Sequence, residues 1–234
     1  MLTLLEFFKA HPGEEKPSNT GLGTREFLGV PLKAYRPNSV LCRQGDDDDR
    51  VFVIRSGWAL LYRGLQNGER QILDTPLKRD VIGFRSAAGP RFASLVSVTE
   101  LSVFEVPRRS LIEAMKADGF LALEIARSLA RQNTILSEHL MNAGRRDALT
   151  KAAHFLLELE ERLSSVGMSA LGRYECPLTQ NELADILGMT SVHVNRTLRE
   201  LRRADLVSFK AGHVDVIDRK QLVKISGFDR EYLT

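Results

Sequence analysis

The sequence predicts an α+β protein with an N-terminal β-roll (jelly roll), a long helix and a C-terminal winged helix-turn-helix. Short apolar segments separated by turn residues fill residues 30–106, which is typical of antiparallel strands. A proline-free run rich in Ala, Leu, Glu and Arg covers residues 110–142, and two short helical periods flank Gly188. These patterns divide the 234 residues into a β-roll (1–107), a helix with a hinge (108–144) and a C-terminal domain (145–234).

Composition is that of a folded soluble protein, with 43% hydrophobic and 27% charged residues. The sequence has neither a membrane-spanning apolar run nor a basic leader with a cleavage site, so we expect a cytoplasmic protein without a membrane partner. The two cysteines, Cys42 and Cys176, lie far apart and form no CxxC pair, so we expect no metal site and no iron–sulfur cluster. The net charge is only +3, but residues 191–213 hold five Lys and Arg against two Asp and Glu. The basic excess is therefore local.

Residues 30–106 contain the segments VFVI, WALLYR, RQILD, SLVSV and LSVFEV, broken by PNS, GDDDD, SG, NGE and AAGP. Between two of these segments, Asn67-Gly68 predicts a tight two-residue hairpin turn, because both residue types tolerate positive φ. The acidic run at residues 46–49 could suggest calcium, but calcium loops space their ligands and add a bidentate Glu. A solvated turn is the preferred interpretation.

The helical run contains an apolar stripe at alternating spacings of four and three residues, which is the a/d pattern of a coiled coil. This pattern predicts a dimerisation seam, although a helix that packs on its own domain shows a similar stripe. We expect a hinge at residues 142–147, a second helix at 148–163 and a loop at 164–173. The predicted seam residues are Ala122, Ala126, Leu129, Asn133, Leu136 and Leu140.

A helix, a turn and a second helix are predicted within residues 179–201. Thr179 and Glu182 form a capping box, Gly188 permits a sharp turn, and Thr190 can cap the next helix. Ala184 suits the place where two helices cross closely. Val194, Leu198 and Leu201 should face inward, and the remaining face is polar and basic: Ser191, Val192, His193, Asn195, Arg196, Arg199 and Arg202.

That polar face suits a helix that enters the major groove of DNA. Arginine pairs with both acceptors of guanine, asparagine pairs with adenine, and Ser or Val can contact a thymine methyl. After it, Ala211-Gly212 predicts a hairpin wing with Lys210 and His213 at its tip, where wings touch phosphates. Polar helical hairpins also occur in proteins that bind no DNA. The predicted DNA contacts are Thr179, Gln180, Thr190, Ser191, Val192, His193, Asn195, Arg196, Arg199 and Lys210.

Nearly the whole chain resembles the Crp/Fnr superfamily of bacterial transcription regulators. The matching segments are QGDDDDRVFVIRSGWALLY, GERQIL, RDVIGF, the long helix and PLTQNELADILGMTSVHVNRTLRELRRADLV. The resemblance implies a cyclic-nucleotide-binding-like β-roll, a homodimer paired through the long helix, a pseudo-palindromic operator and RNA polymerase as a partner. It places Arg196 at a base-reading position, whereas Val192 stands where many members have glutamate and Asn195 where some have serine.

The candidate effector pocket departs from members that bind cyclic AMP, which have Gly-Glu and Arg-Ser or Arg-Thr pairs. Here the pairs are Gly83-Phe84 and Arg91-Phe92. We expect both phenylalanines to fill the pocket as core, with Arg91 a surface or structural cation and cyclic AMP not the effector. The alternative is a regulator that responds to a cyclic nucleotide or another small ligand around Arg91. No cofactor is expected, since His11, His139 and His154 have commoner roles than haem ligation.

Other classes of function have little support in the sequence. A cupin-type metalloenzyme draws histidine ligands from its strands, and residues 30–106 contain no histidine. The sequence has no GxSxG, Walker or HExxH motif, so we expect no enzyme. A nucleotide-binding module that acts on a partner protein is a further rival, and the C-terminal winged helix argues against it.

Overall fold

The computed structural model describes residues 3–10, 30–85 and 89–233. They form two compact units. Unit 1 contains the described residues up to Leu61 together with Thr75–Ala130, and unit 2 contains Tyr62–Asp74 and the described residues from Arg131 onwards. The three-part division of the sequence stays a prediction.

The described N-terminal part holds one short helix and eight strands, arranged in two four-stranded sheets of order β1-β8-β3-β6 and β2-β7-β4-β5. The pairs β1–β8, β3–β8, β3–β6 and β2–β7 are antiparallel, as the sequence predicts. The elements are α1 (Leu4–Lys9), β1 (Leu32–Tyr35), β2 (Val40–Cys42), β3 (Arg50–Ser56), β4 (Ala59–Gly64), β5 (Arg70–Asp74), β6 (Val81–Ile82), β7 (Ser94–Ser97) and β8 (Leu101–Pro107).

Strand β3 lies at the centre of the core of unit 1. Val51 and Val53 pack in a cluster with Phe7 of α1 and Phe104 of β8. Phe52 and Ile54 belong to a second cluster. Successive side chains of a strand point to opposite faces, so both faces of β3 are buried. This explains the continuous apolar run VFVI, which lacks the alternation of a half-exposed strand.

The β4–β5 hairpin is confirmed, but its loop is longer than predicted. The amide of Gly68 donates to the carbonyl of Leu65 at 3.1 Å, and the amide of Leu65 donates to the carbonyl of Glu69 at 2.7 Å. Gly68 has a φ of +86°, whereas Asn67 is not in the left-handed region. The loop therefore has three residues and ends in a left-handed glycine, the next commonest hairpin type.

The predicted long helix is two helices, α2 (Arg108–Ala117) and α3 (Gly119–Arg145). Asp118 between them is extended, with φ −134° and ψ 107°. Its carboxylate accepts a hydrogen bond from the amide of Leu121 at 2.8 Å. A short polar side chain that caps the next helix in this way ends the preceding one, so Asp118 rather than Gly119 makes the break.

Unit 2 contains a four-stranded sheet of order β11-β12-β10-β9 and further helices. The segment predicted as a loop, residues 164–173, contains part of the β9–β10 hairpin, whose turn residues Leu171 and Gly172 both have positive φ. A left-handed leucine is uncommon. Helix α7 and the short 3-10 helix were not predicted. The elements are α4 (Ala148–Ser165), β9 (Ser169–Ala170), β10 (Arg173–Glu175), α5 (Gln180–Leu187), α6 (Ser191–Arg203), β11 (Val207–Lys210), β12 (His213–Val216), α7 (Arg219–Ser226) and the 3-10 helix (Arg230–Leu233).

Within the described ranges, no helix combines the length and the apolar character that a membrane crossing requires.

Candidate functional site

The helix-turn-helix is built by local capping. Thr179 accepts from the amide of Glu182 at 3.2 Å, and the Glu182 carboxylate accepts from the amide of Thr179 at 2.7 Å. Gly188 ends α5 in the left-handed region at φ +62°, and Thr190 accepts from the amide of His193 at 3.3 Å to begin α6. The capping box, the turn and the second cap are confirmed.

Helix α6 buries one face and exposes the other. Val194, Thr197 and Leu201 are buried, and Leu198 is half-buried. Thr197 was not among the residues predicted to face inward, although it lies three residues after Val194 on the same helical face. The opposite face stays open to solvent, since Val192 is 76% exposed and Arg196 and Arg199 are also exposed.

The exposed face of α6 lines an open groove together with the start of α5. The Asn195 carboxamide donates to Gln180 Oε1 at 3.0 Å, which joins the two helices at this surface. Glu200 and Arg203 also line the groove and were not predicted as contacts; they follow Arg196 by four and seven residues, a spacing that points to the same face. The groove residues are Gln180, Ser191, Val192, Asn195, Arg196, Arg199, Glu200 and Arg203.

The predicted wing is the β11–β12 hairpin. Ala211 and Gly212 form its two-residue turn, with φ of +53° and +75°. Lys210 pairs with His213 across the turn, and both side chains are exposed. The structure thus places a cation at the tip of the wing.

Helix α3 separates its predicted seam from its buried face. Leu121, Ile125 and Ile135 are buried, whereas Leu136 and Leu140 are 43% and 74% exposed. Among the other seam residues, Ala126 and Asn133 are exposed, Ala122 is half-buried, and Leu129 packs partly against the core of unit 1. The described residues therefore bury only part of the predicted seam, and its C-terminal leucines remain exposed.

Arg91 of the candidate effector pocket is a buried structural cation, with 5% of its surface exposed. Its guanidinium donates to the carbonyl of Arg50, lies 3.3 Å from the Asp48 carboxylate and covers the Phe52 ring, 5.2 Å from the centroid. Gly83 has a φ of +86°, and a Cβ there would collide with Arg91 Nη1. The glycine therefore makes room for the guanidinium.

The two phenylalanines of this pocket have different environments. Phe84 is half-buried and packs against the core cluster of unit 1. Phe92 is 62% exposed, so the prediction that it fills the pocket as core is wrong. The Arg91 amide donates to the Asp46 carbonyl and the Arg91 carbonyl accepts from the Gly45 amide, so the backbone is held at Arg91, whose side chain is buried while that of the next residue is exposed.

The acidic run at residues 46–49 does more than form a solvated turn. Asp48 accepts from the backbone and the guanidinium of Arg50, and Asp49 pairs with Arg108 at 2.7 Å. Burial alone would raise the pKa of Asp48, but the hydrogen bonds from Arg50 and the charge of Arg91 lower it to about 2. The carboxylate thus stays ionised and neutralises the arginines around it.

The two described histidines that were weighed for haem, and both cysteines, have structural environments. His139 contacts Glu158 and the Leu73 carbonyl, and His154 stacks on Tyr232. His11, the third histidine weighed for haem, lies outside the described residues. Both cysteines are buried free thiols, and the described ranges hold no cluster of three His, Cys, Asp or Glu that could bind a metal.

These features define a class of protein: a DNA-binding transcription regulator with an N-terminal β-roll, a long helix and a winged helix-turn-helix. Comparison with known families agrees. The family described as cyclic nucleotide-binding domain matches residues 32–118, and the Crp-like helix-turn-helix domain matches residues 150–225.

The chain belongs to the Crp/Fnr superfamily of bacterial transcription regulators. It is 29% identical over 204 residues to the nitrogen fixation regulation protein FixK of Rhizobium meliloti, which covers 86% of this chain and 90% of that protein. It is 26% identical over 217 residues to the transcriptional activator protein Anr of Pseudomonas protegens, covering 90% and 88%. The solved structure of FixK2 from Bradyrhizobium japonicum superposes with a TM-score of 0.75 at 26% identity, over 83% of this chain and 96% of that one.

Proposed function

We propose that this regulator binds a pseudo-palindromic operator as a homodimer, with α6 in the major groove. The observation that carries the proposal is the open groove on the outer face of α6, where Arg196, Asn195 and Ser191 lie together. Arg196 is exposed and Ser191 and Asn195 are half-buried, so this face of the helix presents the donors and acceptors that base edges require. The protein acts by binding rather than by catalysis, in the cytoplasm where the chromosome is, and its effect is exerted on RNA polymerase.

We assign the base contacts to the outer face of α6. Arg196 is the principal base reader, because its exposed fork can pair with both acceptors of a guanine. Ser191, Val192 and Asn195 adjust the preference at neighbouring bases. The remaining exposed polar groups approach the phosphates and set the position of the helix: Thr179, Gln180, Thr190, His193, Arg199 and Lys210.

The homodimer is proposed to form along α3. Leu136 and Leu140 expose apolar surface on a face that the described residues leave open, and Asn133 between the apolar positions would fix the register of a pair. Two α6 helices held about 34 Å apart would reach successive major grooves on one side of the duplex. Such a pair explains a two-fold operator.

Cyclic AMP is proposed not to be the effector. The Arg91 guanidinium already bonds to the Arg50 carbonyl and the Asp48 carboxylate, and the ionised Asp48 would repel a phosphate placed there. Phe84 offers no acceptor for a ribose hydroxyl. Calorimetric titration of the purified protein with cyclic AMP should give no saturable heat, and saturable one-to-one binding would contradict this part of the proposal.

Selection from random double-stranded DNA tests the main proposal. The purified protein should enrich a two-fold sequence and, in gel-shift assays at about 0.15 M salt, prefer it to a scrambled competitor.

Arg196→Ala should weaken operator binding by about 1–3 kcal/mol and relax the preference at one position of each half-site. Lys220→Ala removes an exposed cation from α7, outside the groove, and serves as the control. Equal affinity for both DNAs, or no effect of Arg196→Ala, would refute the proposal.

A further inference from the structure

The hydrogen bond between Gln180 and Asn195 links the two helices of the helix-turn-helix at the DNA-facing groove. Gln180 is the first residue of α5, directly after the Thr179 cap, and Asn195 lies one turn into α6. Asn195 Nδ2 donates to Gln180 Oε1 at 3.0 Å. Both backbone positions are fixed, because the capping box holds the start of α5 and buried Val194, next to Asn195, anchors α6.

The chemistry of the two carboxamides makes this bond directional. Each carboxamide has one carbonyl acceptor and two N–H donors. With one Asn195 N–H on Gln180, its second N–H and its carbonyl oxygen remain available. With Gln180 presenting its oxygen, a half-turn of the Asn195 carboxamide would place oxygen against oxygen, which is repulsive. In this arrangement the bond sets which side of Asn195 donates, and a glutamate at position 180, which can only accept, would enforce the same direction.

A carboxamide with a fixed orientation is matched to adenine. In the major groove adenine presents an acceptor at N7 and a donor at N6, and a bidentate asparagine supplies the opposite pair. A side chain that is already held loses less conformational entropy on binding than a free one. Asn195 and Arg196 are consecutive residues that line the same groove, so their reach covers neighbouring base pairs.

We infer that Gln180 is a positioning residue that holds the Asn195 carboxamide for an adenine, so that each half-site carries an A·T pair beside the pair read by Arg196. The inference rests on the proposed function and extends it to a named base. It also gives Gln180 a role beyond a phosphate contact. A phosphate contact strengthens binding to every sequence equally, whereas a positioning residue strengthens binding to one base.

The test measures base preference rather than affinity alone. A selected operator is varied to all four base pairs at the position next to the Arg196 contact, and binding is measured for the wild type, Asn195→Ala, Gln180→Ala, Gln180→Glu and the double alanine variant. The wild type should prefer A·T by about five- to hundredfold, and Asn195→Ala should abolish that preference. Gln180→Ala should reduce the preference for A·T. In the double alanine variant the base preference should be the same as in Asn195→Ala alone.

Gln180→Glu is the discriminating variant. Its carboxylate still accepts from Asn195, so the A·T preference should return, while its negative charge weakens binding to all four operators alike. The inference would be overturned if Gln180→Ala lowered the affinity for all four operators equally. It would also be overturned if the preference for A·T were unchanged in Gln180→Ala or in Asn195→Ala. A wild type that binds all DNA equally would instead refute the proposed function itself.

Discussion

The carboxylate of Glu158 is completely buried in unit 2 and lies against the imidazole of His139, with Oε1 3.0 Å from Nε2. Arg162 reaches the same carboxylate at 3.2 Å, and the Tyr232 hydroxyl donates to it at 3.0 Å. A buried carboxylate is costly unless it is paired and hydrogen-bonded, and here all three partners contribute. The pair joins α3 to α4, the first helix of the segment that matches the Crp-like helix-turn-helix domain.

The first prediction is that stability falls in alkaline solution because of His139. Burial alone would lower the pKa of His139, but the charge of Glu158, with Asp74 beyond it, raises it to about 9. A raised pKa means that the stabilisation is complete below about pH 6.5 and is lost as the pH rises through about 9. Urea unfolding followed by circular dichroism should show this fall.

Two variants check the assignment to His139. His139→Gln should remove the alkaline fall and cost about 3–5 kcal/mol of stability, because it leaves Glu158 with fewer partners. His213→Gln, which changes an exposed histidine of the wing, should keep the fall. An unchanged alkaline limb in His139→Gln would count against the pair.

The second prediction concerns acid solution and His154. Burial lowers the pKa of this histidine to about 4, and the charge of Arg146 adds to the effect, while Glu158 and Glu138 oppose it. The unfolded chain takes up this proton at about pH 6.5 and the folded chain only at about pH 4, so stability should decline as the pH falls across that window. His154→Phe keeps an aromatic ring beside Phe228 and Tyr232. It should reduce the slope of the unfolding free energy against pH in this window by the equivalent of almost one proton. The same slope in both proteins would exclude His154 as its source.

The third prediction separates a steric clash from backbone strain in unit 1. Gly57 and Gly45 have φ of +92° and +88°, but a Cβ at Gly57 would collide with the carbonyl oxygen of Glu100, whereas a Cβ at Gly45 meets nothing within 4 Å. Gly45→Ala should cost about 1 kcal/mol, and Gly57→Ala several kcal/mol more, because backbone atoms must move. Fluorescence of buried Trp58, the only tryptophan, reports the unfolding. Equal losses of stability in the two variants would show that backbone strain, and not the clash with Glu100, determines the cost.

The fourth prediction tests the proposed dimer seam. Leu140→Lys should shift sedimentation equilibrium toward monomer and weaken operator binding, because it places a charge at an apolar position of the seam. Met141→Lys is the matched control, since Met141 is the next residue, is half-exposed and points about 100° away around the helix. Dissociation by Met141→Lys but not by Leu140→Lys would place the interface on another face of α3.

The fifth prediction concerns the operator base opposite Val192. Valine has no acceptor for the cytosine amino group, and this side chain is 76% exposed on the outer face of α6. Val192→Glu should add a preference of about 1–3 kcal/mol for a C·G pair at one position of each half-site, seen in repeated selection experiments. Val192→Leu enlarges the side chain without adding an acceptor and should not select cytosine. Selection of the same sequences by wild type and Val192→Glu would contradict a base contact at this position.

The sequence by itself determined the elements whose signals are local. The Thr179–Glu182 capping box, the Gly188 turn, the Thr190 cap and the Ala211-Gly212 wing each depend on residues within a few positions of one another, so their chemistry could be read directly. The fold class followed from these signals and from the order of strands and helices, and the superfamily from the resemblance of the segments quoted for it.

Only the tertiary structure decided how distant polar groups meet. It placed Arg91 beneath Gly83, turned Phe92 outward, and joined Gln180 to Asn195 and His139 to Glu158. None of these pairs follows from a helical or strand period, because each joins separate elements at a distance set by packing. A periodic pattern predicts which face of a helix or strand is buried. The polar group that a side chain on that face will contact belongs to another element, and its position depends on the whole fold.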